Sequence, residues 1–217
     1  MTRFIDTTDL ASLLNQVGVE TFMAELAKLM SDDYRRWPEF DKSARLAAHS
    51  ELGVIELMPI ADDAQYAFKY VNGHPANAAR GRSTVMAFGA LADVETGFPM
   101  LLSELTLATG VRTAVASAIA AQKLARKDAS VMGLIGCGAQ SEFQAIAFAT
   151  LLGIRRIKAF DIDRDAMDKF AANLVHRHDL RIELVDSKEA AAAGVDILTT
   201  ATADKAYATI VHSDMVS

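Results

Sequence analysis

The feature that most constrains this 217-residue chain is a regular alternation that begins at Ser130. "VMGLIG" reads as a buried strand, "SEFQAIAFATLL" as a helix, "RIKAFDI" as a strand and "RDAMDKFAANLVHRH" as a helix. "RIELVD", the alanine-rich "SKEAAAAG" and "DILTTAT" continue the series. Parallel strands can be joined only through a crossover, so alternation at these lengths predicts βαβ units and a parallel sheet. Four strands are present, whereas a complete dinucleotide fold is built from two βαβαβ halves. The parallel sheet is therefore expected to be incomplete, because the sequence ends in "IVHSDMVS" just after the fourth strand.

The first strand of the series runs into "GCGAQ", two glycines two apart, before the helix begins. Gly136 permits the tight exit from the strand, and Gly138 lets the backbone approach a pyrophosphate with no Cβ in the way. The free N–H groups near Ala139 and Gln140 then face phosphate oxygens at the helix start. The third glycine of the usual fingerprint is absent; Ser141 or Glu142 stands in its place. The next strand ends in "FDID", and Asp161 follows Gly136 by 25 residues, farther than the usual spacing of about 20 to the acid. Its carboxylate suits the adenine ribose hydroxyls and repels a 2′-phosphate, which favours NAD over NADP. The competing interpretation is a plain strand–helix turn in which Asp161, or equally Asp163, caps the following helix.

Upstream the pattern differs. Residues 8–36 are expected to be helical in two pieces: Leu10, Leu13 and Leu14 share one face, Gly18 interrupts, and Phe22, Leu26 and Met30 repeat until Pro38 closes the region. "RLAAHSE", "GVIELMPIAD", "YAFKYVNG" and "TVMAFGALAD" read as short strands, with a hairpin turn at Glu95–Thr96–Gly97. They predict an antiparallel sheet flanked by the first helices. An alanine-rich helix over 106–127 connects the two parts, weakened near its start by Gly110. The fold class is α/β: an incomplete Rossmann-type parallel sheet over 128–217, plus an α+β substrate-binding and dimerisation domain with antiparallel strands over 1–127.

A formal charge of −6, from 22 basic and 28 acidic residues, argues against nucleic acid or anionic membrane as the main partner. The one cysteine, Cys137, cannot form an internal disulfide, and no Cys/His spacing suits a structural zinc. The N-terminal "MTRFIDTTDLASLL" has no signal-peptide pattern, and the longest apolar runs fall short of a membrane span. The chain reads as cytoplasmic. Cys137 sits where a small side chain is all the turn needs, so no nucleophile is expected there. His49 and His74 lack a metal partner at helical spacing. His176 and His178 fall at an expected helix end, where dipole or solvent roles are commoner than chemistry.

"FDKSARLAAHSELGVIELMPIAD", "YAFKYVNGHPAN" and "STVMAFGALADVETGFPMLLSELTLATGVRTAVAS" closely resemble the ornithine cyclodeaminase and mu-crystallin family, the cyclodeaminase branch best. "GLIGCGAQSEFQA" and "DILTTATADKAYATI" extend the resemblance over nearly the whole chain. It implies tightly bound NAD and conversion of L-ornithine, or a similar small amino acid, to L-proline and ammonia. Hydride leaves the substrate α-carbon, the terminal amine attacks the resulting imine, ammonia departs, and the hydride returns. Lysine, one methylene longer, and a cyclic imine reduced by a related enzyme are the competing substrates. A homodimer through the first domain's sheet is a further implication.

The resemblance also assigns residues. Arg45 matches the substrate-carboxylate arginine, where a planar guanidinium suits a bidentate contact. Its alternative is a surface charge at a strand start. Lys69 matches the substrate-site lysine, able to hold carboxylate and influence the amine's protonation; strand alternation could equally turn it outward. Glu56, an acid in an apolar strand, would hold an ammonium or assist proton transfer, against the alternative of a solvent-facing strand residue. Thr84, Arg112 and Thr202 match cofactor contacts, the arginine at the pyrophosphate. The family's acid/base aspartate sits in a "GGDCPGK"-like segment after the fifth strand, expected beyond Ser217. By itself the 217-residue chain is expected to be impaired or inactive, or to act only as an NAD-binding protein.

Overall fold

The computed structural model describes residues 1–175, 179–202 and 209–215. His176 and His178 lie outside the described residues. The backbone divides into two units, 1–22 with 28–109 and 23–27 with 110–217.

The first unit opens with β1 (Arg3–Ile5), followed by α1 (Thr7–Val17) and the start of α2 (Val19–Arg35). Asp6 and Asp9 close a reciprocal capping box that fixes where α1 begins. Gly18, at φ 86°, ends α1 and lets the chain turn directly into α2, a backbone angle that a residue with a Cβ rarely adopts. After a single 3-10 turn at Trp37–Glu39 come β2 (Asp41–Lys42), β3 (Leu46–Ser50), β4 (Gly53–Ala61), β5 (Gln65–Gly73), β6 (Ala87–Asp93) and β7 (Pro99–Glu104). They form one sheet in the order β1-β7-β6-β5-β4-β2, with β3 also paired to β4. Every pairing is antiparallel as expected except that of β1, which runs parallel to β7. Three residues before a helix cap carry too short a pattern to identify a strand, and the sequence reading had none there.

The pleat separates two kinds of side chain. Phe4, Leu46, Ile55, Tyr66 and Phe88 share one face by register and are 72%, 67%, 39%, 40% and 50% exposed. Tyr70 stacks on Phe88 there, with ring centroids 4.9 Å apart. The opposite face carries buried Val71 and Ala87, together with Glu56 and Lys69.

The second unit is a βα series. Following α3 (Thr106–Leu124) come β8 (Val131–Ile135), α4 (Ser141–Leu152), β9 (Arg156–Phe160), α5 (Arg164–Leu174), β10 (Arg181–Leu184), α6 (Lys188–Ala192) and β11 (Ile197–Thr200). All pairings are parallel, in the order β10-β9-β8-β11. The core is dense: Met132, Leu134, Ala145, Ile157 and Ala159 are fully buried, and Phe148 and Phe170 almost so. At Gly133 a Cβ would stand 2.3 Å from the Ala191 carbonyl, so α6 can lie against β8 only because that residue is glycine. The connecting helix ends at Leu124, three residues before the expected Lys127, as Arg126 turns aside to pair with Asp196 and Asp128. Its Gly110 is required by packing, since a Cβ there would meet the Phe143 ring at 2.8 Å.

Candidate functional site

The glycine turn leaves β8 at Gly136, whose φ of 102° belongs to glycine. Its N–H donates to the Phe160 carbonyl at 2.8 Å, and an added Cβ would lie 2.7 Å from the Ala201 carbonyl. The turn is thus wedged between the ends of β9 and β11. Thr202, exposed just past β11, has its backbone nitrogen 3.1 Å from that same Cβ position, so Gly136 and Thr202 are neighbours. Gly138 differs. A Cβ there would project into open space, and the glycine leaves the backbone bare on that side. Ala139 is exposed beside it, and Gln140 caps α4 with no side-chain hydrogen bond to the first-turn N–H groups. Where the third glycine would be, Ser141 is fully buried and its hydroxyl donates back to the Gly138 carbonyl at 2.7 Å.

Asp161 and Asp163 divide the two roles left open between them. Asp163 caps α5, accepting from the N–H groups of Asp165 and Ala166 at 3.0 and 3.4 Å. Asp161 instead accepts the Cys137 N–H at 2.6 Å on one carboxylate oxygen and the Asp163 N–H at 3.0 Å on the other. Each oxygen keeps a second lone pair, enough to accept from vicinal hydroxyls. Burial, and then the Asp161 charge, pushes the Cys137 thiol up to about 12, so it stays protonated and is no nucleophile at neutral pH.

α3 supplies Arg112 to this unit, exposed two residues after Gly110. Gln140 reaches across to the Gly110 carbonyl at 3.5 Å, and Gln144, 4% exposed, donates to Ser117 at 3.3 Å. These links fix the helix that carries Arg112 against the helix that opens at the glycine turn. The donor set suits a dinucleotide: a bare backbone at Gly138, a guanidinium on the adjoining helix, and a carboxylate at the end of the second strand.

The remaining expected residues lie in the first unit. Arg45 pairs with Glu56 at 3.0 Å; the arginine side chain is 61% exposed and the carboxylate 19%. Glu56 is thus partly exposed, with its carboxylate turned to Arg45. Glu56 opposes Ala47 on β3 and Val71 on β5, while Lys69 opposes Met58, so Glu56 and Lys69 are diagonal neighbours on one sheet face. Lys69 is half-buried and is engaged in an interaction of its own. Thr84 precedes β6, its carbonyl accepting the His74 N–H at 2.8 Å. The structure thus gathers Arg45, Glu56 and Lys69 on one sheet, and Gly136, Gly138, Asp161 and Thr202 around one turn.

Two structural anchors escaped the sequence reading. Buried Asn72 holds the start of the segment leading into β6, and Asp196 accepts the N–H groups of Ser130 and Val131 at 2.8 and 2.9 Å. A polar residue closing an apolar strand hints at Asn72, but its partner lies 14 residues away. Among the described residues no cluster of His, Cys, Asp and Glu suits a metal, and no helix is long and apolar enough to cross a membrane.

The chain is similar to several known proteins. The ornithine cyclodeaminase of Agrobacterium fabrum strain C58 is 53% identical over 213 residues, which are 98% of this chain and 60% of that protein. The chain therefore spans about three fifths of that relative's length. Among solved structures, lysine cyclodeaminase, described as recognising L-lysine, L-ornithine and L-2,4-diaminobutyric acid, superposes with a TM-score of 0.90 at 28% identity, covering 98% of this chain and 64% of that one. The Δ1-pyrroline-2-carboxylate reductase of Thermococcus litoralis, solved with NADH and L-proline, gives a TM-score of 0.81 at 29% identity, covering 92% of this chain and 61% of that one. The family model described as "Ornithine cyclodeaminase/mu-crystallin family" matches residues 8–217, and the chain belongs to that family.

Proposed function

We propose that this chain is the substrate-binding and NAD-binding part of an ornithine cyclodeaminase, which converts L-ornithine to L-proline and ammonia. The observation that carries the reading is the Arg45–Glu56 pair at 3.0 Å, on a sheet that presents Lys69 beside it. Two cations and one carboxylate complement an amino acid that has one carboxylate and a terminal ammonium. Arg45 and Lys69 bind the substrate carboxylate. Glu56, partly freed from Arg45 when that arginine turns to substrate, holds the terminal ammonium and accepts its proton, leaving a neutral amine for ring closure.

On the cofactor side, Gly136, Gly138, Ala139 and Gln140 admit the pyrophosphate to the start of α4. Arg112 offsets its charge, Asp161 accepts from the ribose hydroxyls, and Thr84 and Thr202 complete the contacts. The chemistry that bound NAD supplies is reversible hydride acceptance at the substrate α-carbon. The exposed apolar sheet face, with Phe4, Leu46 and Phe88, supports a second copy of the chain as partner.

The test uses the whole protein and L-ornithine deuterated at the α-carbon. Internal transfer predicts proline that retains the deuterium, one ammonia per proline, and no net NADH. Faster turnover of lysine to its six-membered ring would move the substrate assignment to lysine. Consumption of NADH with a cyclic imine, and no ammonia from either diamine, would replace cyclisation with reduction.

A further inference from the structure

Asn72, at the end of β5, is only 6% exposed, yet none of the chemistry proposed above uses it. Its surroundings determine its orientation. The Met86 N–H can only donate, and it points at Asn72 Oδ1 from 2.6 Å. The amide NH2 must therefore face the other way, where His74 Nδ1 lies 2.9 Å from Nδ2. An NH2 group donates, so Nδ1 must accept through its lone pair, and the ring proton resides on Nε2. The backbone continues the same link. Asn72 N–H donates to the Met86 carbonyl at 3.1 Å, and His74 N–H to the Thr84 carbonyl at 2.8 Å. The ring lies over Gly53, where a Cβ would come within 2.7 Å of two His74 ring carbons.

We propose that Asn72 and His74 are positioning residues that fix the Thr84–Met86 segment, with the His74 imidazole held as its Nε2–H tautomer by the Asn72 amide. This rests on the reading of Thr84 as a cofactor contact. Thr84 lies outside β5 and β6, so strand pairing within those elements does not by itself set its position. Three hydrogen bonds from two residues replace that pairing, one of them through the Asn72 side chain, whose amide also ties the two residues to each other.

The experiment is nitrogen-15 NMR of the imidazole in the whole protein, with amide exchange at Met86 and His74 and NADH titration. The proposal expects Nε2–H in the native protein. It expects Asn72→Asp to switch the ring to Nδ1–H, because a carboxylate can still accept from Met86 but offers His74 no donor. Asn72→Ala should raise Met86 amide exchange on the order of tenfold and weaken NADH binding by a similar factor. An Nδ1–H native ring, an unchanged tautomer in Asn72→Asp, or unchanged Met86 exchange in Asn72→Ala would each overturn it. Thr84→Ala separates the two readings: unaltered NADH affinity there removes the cofactor contact alone, and the tautomer and exchange results still decide the anchor.

Discussion

The two units build their candidate sites from different materials. Around Gly136 the chain uses backbone: a positive φ, N–H groups at a helix start, and a carboxylate whose two oxygens are tied to backbone N–H groups. On the first unit's sheet it uses side chains, Arg45, Glu56 and Lys69, brought together by pairing three segments of strand. A backbone site tolerates little change in the turn itself, because strain there passes into β8, β9 and β11 together. A side-chain site on a sheet can lose a charge and keep its fold.

The sharpest test of this contrast is Gly136→Ala against its neighbour Gly138→Ala. At Gly136 the new methyl meets the Ala201 carbonyl at 2.7 Å and the φ of 102° disfavours any Cβ. Strain and overpacking together should cost about 3 kcal/mol or more in urea unfolding. At Gly138 the methyl meets nothing, so stability should change by less than about 1 kcal/mol. NADH affinity should nonetheless fall on the order of tenfold if phosphate approaches on the side that the methyl occupies, as proposed. Equal unfolding midpoints for the two variants would break the argument that the turn is wedged at one glycine and open at the other.

Next in size is Glu56→Gln. The Arg45 side chain is 61% exposed, so the ion pair itself should be worth less than about 1 kcal/mol. Unfolding should scarcely change and NADH binding not at all. Ornithine turnover by the whole protein should drop on the order of a hundredfold if the carboxylate takes the ammonium proton. A variant with native turnover would return Glu56 to a purely structural partner of Arg45.

The same division explains what the sequence makes legible. The parallel sheet, its glycine turn and Asp161 are encoded locally, in strands and helices of telling length and in glycines at fixed offsets. Their arrangement follows once the alternation is recognised. Arg45, Glu56 and Lys69 carry no such signal, since each also suits an ordinary strand charge; only resemblance to a family singled them out, and only β-pairing joined Glu56 to Arg45. β1 is three residues long and finds β7 across almost the whole first unit. Asn72 and Asp196 act at separations of 14 and 66 residues, where no periodicity reaches.

Asp196 sharpens the comparison from the other side, as a side chain that serves the backbone unit. Its carboxyl is held below the usual carboxylate range first by the Ser130 N–H, then by the Val131 N–H, with Arg126 adding to them. A carboxyl depressed in the folded state stabilises it above the unfolded pKa and loses that contribution as pH falls through the folded one. Stability carried by Asp196 should therefore be full at pH 7 and decline only in the acid range, below about pH 4. Asp196→Asn keeps the shape but gives up the charge, and should cost about 1 kcal/mol at pH 7. Native and variant unfolding midpoints should converge as the native carboxyl protonates. A variant deficit that stays constant from pH 7 to pH 3 would mean that packing around β11, and not the charge on Asp196, anchors the start of β8.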